Sequence, residues 1–395
     1  MTPRPAIVLL ADIRFPSPRA NGIQVVKTAH ALAARGLEVR LVVRHSDPRP
    51  TEDILEGFGV APTPCLFVDR LKVGHAPGAA FVPRLRYLAR ALALARRASR
   101  QGAFVLTRDL QLADLLLRLG CDNLTYEAHA VEAIMYDERQ QLYNLESGPN
   151  ASKRRRIEGR ERRVWMGARG FMATTAGILA TFERLFAARH RTAVVPNGCD
   201  IPSGRAFTPP SEGQRVVYAG QLYPWKGVDV LVQAFAQMTR GELVIVGGLA
   251  GETDFDRIQS LARSLNLGDR IQFKGSLKQK DVAAELARAT VAVAPFLKSA
   301  MTSDHTSPIK AFEAMAAGRP LLISDTGASR EIVEDNRTGL LVPPGNVEAW
   351  AAALDRILSD RALQMKLARA AFEKATDYSW ARRAERIEVF LGAAA

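Results

Sequence analysis

The side chains best spaced for chemistry lie in one stretch, Ser303-Asp304-His305-Thr306-Ser307-Pro308-Ile309-Lys310-Ala311-Phe312-Glu313, continuing to Gly318-Arg319-Pro320. Ser307 and Pro308 read as an N-cap and a proline at the first helical position, and Gly318 and Pro320 as the stop. A helix start leaves backbone N–H groups of Ile309 and Lys310 without intrahelical acceptors and carries partial positive charge, so it can hold an anion. Lys310 adds a cation to the first turn. Glu313, three residues on, shares its face and can accept two hydroxyl protons. A diphosphate attached to a ribose satisfies all three groups.

Three further segments have the same character. In Tyr218-Ala219-Gly220-Gln221-Leu222-Tyr223-Pro224-Trp225-Lys226-Gly227, a strand runs into a turn and a helix begins near Gly227, placing Lys226 at the helix mouth. Asp12 to Gln24 is a long loop opening a helix over 24–35, where Gly22 permits close backbone approach to a ligand. Tyr126-Glu127-Ala128-His129 closes a strand, and an imidazole there can hydrogen-bond a sugar or take a proton, although a lone histidine is more often structural. Asp254-Phe255-Asp256 matches a metal-holding pattern, but two acids opening a helix have a simpler account, and the sequence implies no metal and no cofactor.

These residues need elements to hold them. Short apolar strands alternate with helical patterns: 7–11, 39–43, 104–107, 124–127, 171–174 and 193–195, then 216–219, 243–246, 271–273, 291–294 and 321–324. The alternation predicts an α/β protein of two doubly wound parallel-sheet domains facing a central cleft, with ligands beyond the carboxyl ends of the strands. The expected domains are 1–198, 199–376 and a closing helix over 377–395. The chain has 395 residues and three scattered cysteines, Cys65, Cys121 and Cys199, which argue for a reducing cytoplasm and against a disulfide framework. The apolar run from Ala6 to Ala11 is too short for a signal segment or a membrane span.

The net charge of +13 is uneven: residues 1–200 carry 30 Lys and Arg against 19 Asp and Glu, and the remainder 24 against 22. The excess concentrates at 84–100, which contains Arg84, Arg86, Arg90 and Arg97, and at 153–163, which begins Lys153-Arg154. In the first segment Leu85, Leu88, Leu92 and Ala95 are expected to pack on the sheet, with the arginines outward. Charge at this density suits an anionic bilayer. Nucleic acid could use it too, but no aromatic platform or reading module accompanies it.

Taken together, the Glu-x-His strand end, Pro196-Asn197-Gly198-Cys199-Asp200, the Gly…Lys226-Gly227 turn, Glu313-Ala314-Met315-Ala316-Ala317-Gly318-Arg319-Pro320 and Ser379-Trp380 resemble the retaining glycosyltransferases of family 4, which have the GT-B fold. The resemblance covers essentially the whole chain. It implies transfer of a sugar from a nucleoside-diphosphate sugar, UDP foremost, to a glycan, lipid-linked or small-molecule acceptor. It also implies a final helix returning to the first domain. Lys226 would bind the diphosphate, Glu313 the ribose, and His129 the transferred sugar. Gly22, Gln221, Gly275, Asp304, His305, Ser307, Ile309 and Lys310 complete the donor side, and the basic segments stand on the acceptor side. Front-face displacement, with the departing phosphate taking the acceptor proton, needs no metal.

Two positions depart from the family pattern. Gln221 stands where many relatives have an arginine that pairs with the diphosphate, a charge-assisted bond of about 1.5–3 kcal/mol, and Lys310, Arg14 or Arg19 is expected to compensate. His305 stands where the family has a glutamate eight positions before Glu313, so Asp304 or His305 takes that place. A nucleotide-sugar epimerase on the same fold would need more catalytic carboxylates than the chain arranges, and a non-catalytic sugar-nucleotide or glycan-binding protein is the reading from another class. The expected location is cytoplasmic, with peripheral docking on the inner membrane face.

Overall fold

A computed structural model of the chain describes residues 6–17, 19–72, 81–142, 150–202 and 204–392. The chain divides into two compact units, one made of residues 1–140, 145–197 and 380–395, the other of 141–144 and 198–379.

The first unit holds a seven-stranded, wholly parallel sheet. Its strands are β1 (Ile7–Phe15), β2 (Val39–His45), β3 (Leu66–Leu71), β4 (Phe104–Thr107), β5 (Leu124–Ala128), β6 (Gly170–Ala173) and β7 (Thr192–Val194), in the order β3-β2-β1-β4-β5-β6-β7. The central strands are near-continuous apolar runs because helices cover both faces. Ile7, Leu10, Leu41, Val105 and Phe171 are fully or almost fully buried. The strand order reverses between β1 and β4, which is where such sheets present ligand sites.

The second unit repeats the plan with β8 (Arg215–Ala219), β9 (Glu242–Val246), β10 (Ile271–Gly275), β11 (Val291–Ala294), β12 (Leu321–Ser324) and β13 (Leu340–Val342) in the order β10-β9-β8-β11-β12-β13. Its switch point falls between β8 and β11.

Every strand read from the sequence is present within a few residues. Two edge strands were not anticipated: β3, whose residues are mostly half-buried, and β13, only three residues long. β3 carries Asp69 and Arg70, which break its apolar run, and the apolar run of β13 is only Leu340-Leu341-Val342.

The helix Phe81–Arg100 buries Tyr87, Leu88, Ala91 and Ala95, whereas Leu85 is 54% exposed. At about 100° per residue the buried stripe centres between Tyr87 and Leu88, which turns Leu85 to solvent and corrects its expected place in the core. The final helix, Trp380–Leu391, belongs to the first unit and packs along the helix Ala20–Ala34, where Arg35 pairs with Glu388. All three cysteines are free. Among the described residues no helix is long and apolar enough to cross a membrane.

Candidate functional site

In the second unit the functional side chains come from the carboxyl ends of β8 and β11 and from the second helix after β11. After β8 the chain makes one 3-10 turn, Pro224–Lys226, and the next helix starts at Val228. Gly227 joins them at φ +65°, and a Cβ there would lie 1.9 Å from the carbonyl oxygen of Pro295, so only glycine lets this loop rest on the end of β11. Leu297 N–H donates to the Trp225 carbonyl at 3.0 Å, fixing the same approach. The Lys226 ammonium consequently sits 4.7 Å from the centre of the Phe296 ring, a cation–π contact. Burial lowers its pKa from 10.5 to about 8. Among the described residues no carboxylate pairs with it, and a desolvated cation so placed is strongly receptive to an anion.

After β11 a short helix, Ala300–Asp304, precedes a second that spans Ile309–Ala316, whose cap is Pro308 in an extended conformation rather than Ser307. This corrects the expected cap: Pro308 lies one residue ahead of the helix, and no side chain caps it. Ala311 N–H makes the first intrahelical bond, to Pro308 O at 3.0 Å, so the N–H groups of Ile309 and Lys310 stand ahead of the ladder. Gly318 follows the C-cap at φ +68°. Arg319, 1% exposed, donates to the carbonyls of Thr208, Pro209, Ala289 and Ala317 and is therefore structural.

Lys310 and Glu313 are brought together. Lys310 Nζ lies 2.7 Å from Glu313 Oε2 and donates to Gln279 Oε1 at 3.0 Å, and Gln279 Nε2 donates to Glu313 Oε1. Gln279 is a member of the site that the sequence did not reveal, because it opens a helix more than thirty residues upstream with no motif around it. The pair is already neutralised, so Lys310 lends less charge to an incoming anion than Lys226 does. Replacing Lys310 with alanine is expected to weaken nucleotide binding about tenfold by calorimetry and to cost at most about 1 kcal/mol of stability, as for a partly exposed i,i+3 pair. An unchanged dissociation constant would remove Lys310 from the phosphate site.

The other anticipated donor-side residues are placed as follows. Gln221 lies in the loop after β8, its carbonyl accepting from the Tyr218 hydroxyl. Gly275 ends β10, and its carbonyl accepts from Gly247 N–H at 2.8 Å. Asp304 is exposed, with one carboxylate oxygen against Gly327, whereas His305 is buried at 4%. Asp254 and Asp256 occupy the first turn of the helix Thr253–Ser264, with Arg257 3.7 Å from Asp254.

In the first unit the helix after β1 begins at Ala20, four residues earlier than the sequence suggested, so Gly22 lies in its first turn. A Cβ on Gly22 would meet the Ser17 carbonyl oxygen at 2.2 Å, so the glycine serves the folding back of its own loop. At the end of β5, His129 Nε2 lies 2.6 Å from Glu127 Oε1. Burial, with Arg108 nearby, lowers the His129 pKa to about 4 despite Glu127, and the ring is neutral at physiological pH.

The β1 and β4 ends also carry Asp12, held by Arg44 and Arg84 at 2.8 Å each, with Asp109 3.9 Å from Arg84. Arg84 is thus paired at the strand ends while its side chain stays exposed. Arg90 donates to the Lys72 carbonyl, Arg154 pairs with Asp137 and Glu158, and Lys153 lies over the Tyr136 ring. Asp114 gathers Arg118, Arg160 and Arg163. Arg97, Arg155, Arg156 and Arg162 remain exposed.

Comparison with known proteins places this geometry in a class. The fold matches sucrose-phosphate synthase from Thermosynechococcus elongatus with a TM-score of 0.77 at 24% identity, covering 98% of both chains. It also matches Anabaena HepE, solved in complex with UDP and glucose, at 0.73 and 18% identity, covering 98% of this chain and 99% of that one. Both sheets are those of the GT-B fold.

The family model for glycosyl transferases group 1 matches residues 204–374, and that for the glycosyl transferase 4-like domain matches 22–198. The chain belongs to the GT4-type glycosyltransferases. Among curated relatives, D-inositol 3-phosphate glycosyltransferase of Paenarthrobacter aurescens is 28% identical over 61% of this chain and 61% of its own length. The enzyme of that name from Nocardia farcinica is 30% identical over 57% and 52%. The chain thus spans between half and three fifths of the length of these relatives.

Proposed function

We propose that the protein transfers a sugar, with retention of anomeric configuration, from a nucleoside-diphosphate sugar to a hydroxyl group of a glycan, lipid-linked or small-molecule acceptor, with UDP as the donor nucleotide. The observation that carries this is the desolvated ammonium of Lys226 at the β8/β11 switch point, with no carboxylate partner among the described residues, in the same unit as a helix start that carries Lys310 and Glu313. The cation and the free N–H groups take the diphosphate, and Glu313 takes the ribose hydroxyls, displacing Gln279 and Lys310. HepE, a structural neighbour, has been solved with UDP and with UDP-glucose, which favours uridine.

In the reaction the bond between the anomeric carbon and the β-phosphate oxygen breaks, and a bond to the acceptor oxygen forms on the same face. The acceptor proton passes to the departing phosphate. Positive charge develops at the anomeric carbon, and neutral His129 is assigned to the sugar hydroxyls. Lys226 and the helix start supply the positive charge that steadies the leaving diphosphate, so the proposal includes no metal.

A panel of nucleotide sugars tested by thermal shift, then by release of nucleoside diphosphate with and without a chelator, checks this reading. At least one uridine diphosphate sugar is expected to stabilise the protein and to be turned over equally in both conditions. Failure of every nucleotide sugar to bind would remove the proposal, and loss of turnover on chelation would remove its metal-free part.

The exposed arginines of the first unit support peripheral docking on an anionic bilayer, each worth about 1 kcal/mol near the surface. Co-sedimentation is expected with vesicles containing phosphatidylglycerol and not with phosphatidylcholine alone. Equal sedimentation with both would contradict the docking.

A further inference from the structure

We infer that Arg383, on the final helix, is a positioning residue for the transfer reaction: it holds Glu127 so that His129 presents Nδ1, and not an N–H group, to the sugar. The role given to His129 rests on the function proposed above; the positioning itself does not.

Arg383 is 1% exposed, and its guanidinium makes four hydrogen bonds. Nη1 donates to the carbonyls of Val195 and Pro196 at 2.7 Å each, Nε to Thr28 Oγ1 at 3.0 Å, and Nη2 to Glu127 Oε1. Val195 and Pro196, directly after β7, therefore contribute the backbone acceptors that aim this side chain. Glu127 Oε1 also accepts from Gln24 Nε2 at 3.0 Å, and Gln24 Oε1 accepts from Arg108 Nη1 at 2.8 Å, which fixes the amide's orientation. One carboxylate oxygen thus gathers a guanidinium, an amide and the His129 ring.

This arrangement dictates the tautomer. Burial would raise the Glu127 pKa, but Arg383, His129 and Arg108 outweigh it and hold the carboxyl well below the usual range, so Glu127 is ionised and can only accept. His129 is neutral, so the nitrogen facing Glu127 must carry the proton. Nδ1 is left with its lone pair, suited to accept from a sugar hydroxyl or to face developing positive charge. The charged groups around the imidazole are Glu127 on β5, Arg108 after β4 and Arg383 on the final helix. An ammonium could not make this set of bonds, because it lacks the planar fork that reaches two carbonyls and a carboxylate together.

Nitrogen-15 NMR of the histidines in the full-length protein, without any donor, reads the tautomer directly. Wild type is expected to show His129 protonated on Nε2 and titrating below pH 5. In Arg383→Gln the loss of positive charge should raise the His129 pKa by at least one pH unit and mix the tautomers. Its kcat should fall at least tenfold, with donor KM within threefold and the acidic limb of the kcat profile moved toward neutral pH. Arg383→Lys, which keeps the charge, should restore most of the pKa and little of kcat.

A wild-type His129 protonated on Nδ1, or titrating near 6.5, overturns the inference whether or not the variants fold. A folded Arg383→Gln protein with unchanged His129 titration and kcat also overturns it. If the tautomer is as stated but His129→Ala retains full turnover, the positioning stands and the role of His129 in transfer falls.

Discussion

The Lys226→Met protein is expected to be more stable than wild type without ligand and to bind nucleoside diphosphates at least a hundredfold more weakly. Both effects follow from one cause. The Lys226 pKa is about 8 in the folded protein against 10.5 ordinarily, so burying the ammonium at neutral pH costs roughly 3 kcal/mol, at about 1.4 kcal/mol per tenfold change in proton affinity. The sign is set by linkage: between pH 8 and 10.5 the unfolded chain binds more protons than the folded one, so wild-type stability rises with pH across that window. The stability gap between the two proteins should therefore be largest below pH 8 and vanish above 10.5.

Binding runs the other way, because the diphosphate requires the protonated amine. Wild-type nucleotide affinity should fall about thirtyfold from pH 7 to pH 9.5, while Lys226→Met should lack this dependence. Chemical denaturation across pH and calorimetry at the two pH values measure both effects. A methionine variant that is less stable and binds as tightly as wild type would contradict the role of Lys226.

The second large effect concerns His129. Replacing it with alanine is expected to lower kcat by 10² to 10³, the range for loss of one positioned polar group at a reacting centre. The nucleotide dissociation constant should change less than threefold, because the diphosphate and ribose groups all lie in the other unit. Since His129 titrates at about 4, the wild-type rate should be flat from pH 5.5 to 7.5 where this residue is concerned. Steady-state kinetics over that range, with calorimetry on the same protein, measures the split. A variant that loses donor affinity and keeps kcat would place His129 in binding rather than in the transfer step.

The sequence revealed the sheets and the local motifs because both rest on short-range patterns. Apolar runs such as Val291–Ala294 and Leu321–Ser324 are strands because helices cover both faces, and Lys310 and Glu313 meet because they are three residues apart on one helix. Partners across long separations were not legible. Gln24 reaches Glu127 from 103 residues away and Arg383 from 256, and both are ordinary polar residues on amphipathic helices. One signal for Arg383 was present: it shares a helical face with Trp380, Ala384, Ile387 and Leu391, all buried, and a charged residue on an apolar stripe requires a buried partner. The expected caps and loops failed for a related reason. Ser307 and Gly22 lie where the chain's own backbone, Pro308 in one case and Ser17 in the other, decides the geometry.

The most direct test is a crystal structure of the protein soaked with a uridine diphosphate sugar. The account predicts diphosphate oxygens within hydrogen-bond distance of Lys226 Nζ and of the Ile309 and Lys310 N–H groups, with both ribose hydroxyls on Glu313 and the Gln279 amide displaced from it. A nucleotide seated elsewhere, with Lys226 still over Phe296 and Glu313 still bound to Gln279 and Lys310, would contradict it.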